Sequence, residues 1–194
     1  SPFFDFNNSW FVRRPLMSAV CATSGKRTPY RVVPVKALGV YGQSLHSGER
    51  GEWTYDLAWK PLLGFPVRAG WLDAIRRGQQ RLRSGLAIDA PIMVACSTRT
   101  FRGRAWHEDA RLTDSVLDVE DIVKWAPHLG PRVTINRFDG GMHDLTLSGP
   151  DVRTEVFREL GRWVDAFLPP PGTPEEDVPP PPEDKAHDKS PATA

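Results

Sequence analysis

The run from Arg132 to Leu168 constrains this chain more than any other stretch. Arg132-Val133-Thr134-Ile135-Asn136-Arg137-Phe138 alternates apolar and polar residues with the two-residue period of a strand. It gives way to Gly140-Gly141-Met142-His143-Asp144, and an amphipathic stretch, 151–168, follows. A strand that ends in small residues, presents a His and then enters a helix reads as a loop at the carboxyl edge of an α/β sheet. Ligands and catalytic groups gather at such edges. The paired glycines let the backbone turn sharply and bring His143 close to whatever it serves. His143 is therefore the candidate general base.

The chain ahead of this run supplies the other parts of an α/β layer. From Gly70, residues Leu72, Ile75, Gln79, Leu82 and Leu86 fall on one helical face, with Arg76, Arg77, Arg81 and Arg83 elsewhere. Pro91-Ile92-Met93-Val94-Ala95-Cys96 is a continuous apolar run with a Pro at its entrance, as expected of a buried parallel strand. Asp118 can cap a helix over 118–126, and Glu120 and Asp121 suit the positive end of its dipole. Pro127 and Gly130 close it. In the last helix Val152, Val156, Leu160, Trp163, Val164 and Phe167 share a face. Helix–strand–helix–strand–helix predicts a right-handed βαβ unit. Two parallel strands alone make a poor domain, because both faces of a parallel sheet need cover. The sequence thus reads as the end of a larger α/β sheet whose earlier strands lie upstream of Ser1. Ser1 is not an initiating Met, so the chain is either processed or a piece of something longer.

Elsewhere the pattern is weaker. Residues 1–11 are dense in aromatics and turn formers, and Pro15 to Cys21 fits a short helix with Pro15 in its first turn. The stretch 26–68 is irregular and carries Tyr30, Tyr41, Trp53, Tyr55, Trp59 and Phe65. It reads either as a packed lid or as a satellite core under long loops. From Pro169 onward the composition shifts to Pro, Glu, Asp, Lys and Ala, too poor in large apolar groups to offset the entropy of ordering, so 169–194 is expected to be a disordered tail. The ordered part is then 1–168. Residues 1–69 form a lid and connecting region, and 70–168 the last helices and strands.

Charge excludes some partners. Lys and Arg number 25 and Asp and Glu 24, spread along the chain without a basic block for nucleic acid. Cys21 and Cys96 are isolated, which argues against a disulfide scaffold or a metal site and makes a reducing, cytoplasmic setting the default. No run approaches the roughly 20 apolar residues of a membrane span, so stable membrane insertion is not expected. The start lacks the basic and apolar regions of a signal peptide.

Taken together, four stretches resemble the C-terminal half of an α/β-hydrolase, in the serine aminopeptidase-like and monoacylglycerol lipase-like branch in its actinobacterial form. They are Ser1-Pro2-Phe3-Phe4-Asp5-Phe6-Asn7, Gly51-Glu52-Trp53-Thr54-Tyr55-Asp56-Leu57-Ala58-Trp59-Lys60-Pro61, Asp114-Ser115-Val116-Leu117-Asp118-Val119 and Gly140-Gly141-Met142-His143-Asp144. The resemblance implies a doubly wound sheet with an irregular aromatic lid. It also implies a triad running Ser, Asp or Glu, His, with the Ser in a G-x-S-x-G elbow. No such elbow exists here. Gly42-Gln43-Ser44-Leu45-His46 comes nearest, but it lacks the second Gly, follows no apolar strand and opens no helix. The family places the elbow before the position of Ser1.

The resemblance also bears on the acid. The usual place, just past the second-last strand, reads Ser97-Thr98-Arg99-Thr100, without a carboxylate. Glu108, Asp109, Asp114 and Asp118 come next. Asp114-Ser115-Val116-Leu117-Asp118 resembles the acid loop of monoacylglycerol lipases, and the interval to His143 leaves room for one helix and one strand. Asp114 is read as the acid and Asp118 as the cap, with Asp118 the runner-up; alternatively both only cap and turn. Trp106-His107-Glu108-Asp109 lacks a second His at ligand spacing and reads as a solvated loop, and no cofactor is implied. Asp144 reads as a cap or as a partner that steadies the loop.

The expected function is a serine hydrolase that cleaves carboxylic esters, acylglycerol-like or lysophospholipid-like, with Asp114 and His143 supplied by this chain and the Ser by sequence upstream. Its partner would be a small-molecule ester. The alternatives are a non-catalytic binding protein that kept the fold, for which the missing carboxylate after Cys96 speaks, and a truncated product without independent function.

Overall fold

The structure, a computed structural model, describes residues 1–6, 23–34 and 38–168. The expected helix over Pro15–Cys21 and the expected tail over 169–194 lie outside the described residues. The described part is a mixed α/β arrangement around one small parallel sheet. In chain order it contains helix α1 (Val40–Leu45), helix α2 (Ala69–Arg83), strand β1 (Ile92–Ser97), helix α3 (Val119–Trp125), strand β2 (Val133–Phe138) and helix α4 (Pro150–Phe167). Single 3-10 turns lie at Glu108–Arg111, Ala126–His128 and Leu145–Leu147.

β1 and β2 pair in parallel, from Ile92 opposite Val133 to Ser97 opposite Phe138. Parallel neighbours require a crossover, and α3 lies within it. The two-residue period sorts the strands' side chains onto two covered faces. On one face Val94 and Cys96 cluster with Leu117, Ile122 and Ala126, and Phe3, Phe4, Val133 and Ile135 pack against them. Ile122 is fully buried, a burial that contributes on the order of 2 kcal/mol. On the other face Phe138, Leu145 and Val156 cluster with Met93, Ala95 and Val152. Arg137 reaches across the first face to Glu120 of α3 at 2.7 Å.

α2 has no side-chain cap. Its first N–H groups are instead satisfied by the carbonyls of Arg31 and Pro29, both at 2.9 Å. Leu72, Gln79 and Leu82 are buried as the periodicity predicts, but the helix ends at Arg83, and Leu86 lies beyond it. Arg83 closes a 2.8 Å ion pair on the buried carboxylate of Asp5, and its guanidinium lies 4.9 Å from the centre of the Trp125 ring. The N-terminal strip is thereby tied to α2 and α3.

Two expectations need correction. The stretch 26–68 is not wholly irregular, because 23–27 and Val40–Leu45 are helical. Nor is the predicted apolar face of α4 buried along its length. Val156 is buried and Val152, Trp163 and Val164 are half-buried, whereas Leu160 and Phe167 are 41% and 43% exposed. The reason is geometric. Strands of 6 residues span about 20 Å, whereas a helix of 18 residues spans about 27 Å, so the sheet runs out beneath the helix. Among the described residues no helix is long and apolar enough to cross a membrane.

Candidate functional site

The site is built at the carboxyl ends of β1 and β2. Beyond Phe138 the chain turns at Gly140, whose φ of +68° is left-handed and would strain any residue with a Cβ. Ser148 then receives the N–H of Met142 at 2.9 Å, closing the loop across its base. Met142 is buried, and His143 is left with 18% of its side chain exposed. The imidazole is thus presented from a fixed loop.

Asp114 reaches the same point by another route. After β1 the chain leaves the sheet at Thr100 and returns at Asp114, where the two residues form a parallel bridge. The N–H of Asp114 donates to the Arg99 carbonyl at 2.9 Å, and the N–H of Phe101 donates to the Asp114 carbonyl at 2.8 Å. The segment between is an excursion, and its far end brings a carboxylate beside the strand end that lacks one. Asp114 is completely buried. Its Oδ1 accepts the N–H groups of Val116 at 2.9 Å and Leu117 at 2.8 Å.

His143 Nδ1 lies 3.1 Å from both carboxylate oxygens of Asp114. Burial by itself raises the pKa of Asp114. The hydrogen bond and charge of His143, joined by the N–H groups of Leu117 and Val116, outweigh that and hold the carboxyl below its usual range. An ionised carboxylate against Nδ1 keeps the ring proton on that nitrogen. Nε2, which has no hydrogen-bond partner among the described residues, then presents its lone pair. Such a pair can accept a proton at Nε2 and stabilise the imidazolium that forms.

The other candidates have different places. The Asp118 side chain accepts from the N–H of Glu120 at 3.2 Å as the cap of α3, and from Arg102 at 2.8 Å. Ser44 sits inside α1, is 1% exposed, and donates to the Val40 carbonyl at 2.9 Å, so it is a structural serine. His107 is exposed and accepts the Asp109 N–H on Nδ1 at 3.2 Å, capping the 108–111 turn. Among the described residues no three His, Cys, Asp or Glu side chains cluster as a metal site. Cys96 is free and buried, and burial raises its thiol pKa. Asp144 does not cap the turn it precedes, contrary to one of its two expected roles. Its carboxylate instead takes the hydroxyl of Tyr41 and lies 3.5 Å from Lys60 Nζ.

The 38–68 segment is docked over this edge. Trp53 donates its indole N–H to the Leu147 carbonyl at 2.9 Å, and Glu52 pairs with Arg111 at 2.8 Å. A cleft of about 600 Å³ opens beside the acid loop, lined by Leu38, Val40, Tyr41, Tyr55, Leu62, Leu63, Phe101 and Val116, with Lys60 at its wall. Tyr41 and Lys60 were not distinguishable in the sequence from the other aromatic and basic residues of this stretch. No protein-family model and no curated protein sequence matches the chain.

Proposed function

We propose that this chain supplies the acid and base of a serine hydrolase acting on carboxylic esters, in an α/β-hydrolase fold of the serine aminopeptidase-like and monoacylglycerol lipase-like branch. The carrying observation is the buried Asp114 carboxylate held 3.1 Å from His143 Nδ1 at the carboxyl edge of a parallel sheet. A buried anion that fixes one imidazole tautomer supports the catalytic reading over the binding-protein one. The place after Cys96 lacks a carboxylate, and Asp114, returning to the strand end through its bridge to Thr100, supports the catalytic reading by bringing one there.

In this reading the nucleophile is a serine carried by sequence preceding Ser1. Its hydroxyl gives its proton to His143 Nε2 as the oxygen attacks the ester carbonyl. Asp114 stays ionised and stabilises the imidazolium. The imidazolium then protonates the departing alcohol, leaving an acyl-serine, and water repeats the sequence to release the carboxylic acid. The 38–68 segment acts as a lid, and the apolar side chains along its cleft suit the hydrocarbon part of an acylglycerol or lysophospholipid, with Lys60 and Arg102 placed for a polar end. A cytoplasmic location, with a small-molecule ester as partner, belongs to the same proposal.

The test is turnover of a short-chain ester by the protein together with the sequence that precedes Ser1. His143→Ala should abolish turnover while circular dichroism stays unchanged. Unaltered turnover in this variant would remove the base and return the fold to the binding-protein reading.

A further inference from the structure

We infer that Tyr41 and Lys60 are positioning residues for His143, acting through the carboxylate of Asp144. The inference rests on His143 being the base. It goes beyond that reading by giving the 38–68 segment a part in the chemical step.

The three side chains form a closed triangle. Tyr41 donates its hydroxyl to Asp144 Oδ2, Lys60 Nζ lies 3.5 Å from the same oxygen, and Lys60 donates to the Tyr41 hydroxyl at 3.1 Å. The ammonium also lies 4.9 Å from the centre of the Tyr41 ring and 5.8 Å from that of Tyr55, so aromatic faces hold it in place. Burial, then the hydrogen bond and charge of Asp144, push the Tyr41 phenol far above its usual range, and it remains a donor.

The triangle bears on the base because Asp144 is the next residue after His143. The Tyr41 ring also meets the imidazole directly, with centroids 5.5 Å apart and planes at 87°. One residue thus touches the ring of the base and anchors the backbone position that follows it. The ring hangs from Cβ and is held by Asp114 at Nδ1, and the Tyr41 ring packed against it edge to face adds a third restraint on its rotation. Tyr41 is itself firmly placed, since in α1 Leu45 is fully buried and Ser44 accepts the indole N–H of Trp106 at 3.2 Å. An aspartate that leaves its turn uncapped in order to bond a tyrosine and a lysine from a distant segment is explained by this task.

The experiment measures ester turnover by the protein with its preceding sequence, using Tyr41→Phe, Asp144→Asn and the double variant. Tyr41→Phe keeps the ring and removes the hydroxyl. A misplaced base is expected to lower kcat by roughly 10- to 100-fold, with KM within about twofold and the melting temperature unchanged. The double variant should be no worse than the worse single one, because both changes break the same link. Lys60→Met should lower kcat in the same direction and serves as the second variant if Tyr41→Phe does not fold, while Lys60→Arg should restore most of the rate. An unchanged kcat in folded Tyr41→Phe, a loss confined to KM or to melting, or fully additive losses would overturn the inference. His143→Ala measured alongside separates the two readings. If it keeps turnover, the base is wrong and the positioning role falls with it. If it loses turnover while Tyr41→Phe does not, only the positioning role fails.

Discussion

Arg102 donates to Asp118 Oδ2 at 2.8 Å, and this ion pair divides the labour between two aspartates of one turn. Asp118 Oδ1 faces the N–H of Glu120 and the hydroxyl of Thr100, which in turn accepts the N–H of Val119 at 2.9 Å. That carboxylate is fully engaged in starting α3. Among the described residues the Asp114 carboxylate is engaged with its own turn and with His143.

The first prediction separates them. On the proposed function, Asp114→Asn in the protein together with the sequence preceding Ser1 should lower kcat for an ester by on the order of 10⁴, because an amide no longer enforces the Nδ1–H tautomer. Asp118→Asn should change it little, since Asn still caps a helix. Steady-state ester kinetics on the two variants decide the assignment. A dead Asp118→Asn beside an active Asp114→Asn would make Asp118 the acid.

Acid should loosen the pair. The folded-state carboxyl of Asp114 titrates below its unfolded value, so the stability it contributes is present above the ordinary aspartate range of about 4. That contribution is lost as pH falls through the lowered folded value. Melting temperature followed from pH 7 to pH 3 should therefore drop less steeply in Asp114→Asn than in the parent. Equal slopes would mean that the carboxylate is not stabilised by His143.

The core makes a simpler claim. Ile122 is fully buried between β1 and α3. Ile122→Ala should destabilise by about 2–5 kcal/mol and Ile122→Val by about 0.5–1.5 kcal/mol, measured by denaturant titration. A loss below the valine range for the alanine variant would place this residue outside the cooperative core.

Residues 1–168 expressed alone should bind an apolar-surface dye and melt without a sharp transition. Among the described residues the sheet consists of β1 and β2, and Trp59, Leu63, Phe65, Phe157 and Leu160 are exposed. A monomer with a single cooperative melt would contradict this.

How much of this was legible differs from residue to residue. Both strands were, to within about one residue: the first as a continuous apolar run behind a Pro, as a strand covered on both faces requires, and the second as an alternating run. The cap at Asp118 was legible because capping is local chemistry. Helix α1 was not. Its apolar residues show no period, and it forms where Gly42 allows the backbone of Leu62 to approach, at a spot where a Cβ would lie 2.4 Å from a carbonyl oxygen. Tyr41 stands 103 residues from Asp144, and nothing local marks such a pair. Asp114 lay between these cases. Its distance from the strand end hid it from a reading by position, and only the return of the chain at Thr100 brings it back.

That return fixes the Asp114 carboxylate by contacts of its own. Thr100 and Asp114 are pinned by their own backbone bridge, and Asp114 has its own turn at Val116 and Leu117. Exposed positions of this excursion such as Arg104 and Ala105 can therefore be resurfaced without shifting the carboxylate, whereas Trp106 and Arg111 tie it to Ser44 and Glu52. In such an arrangement the outer rim of the site is a module open to variation, hung from a fixed hinge, while the chemistry behind it stays in register.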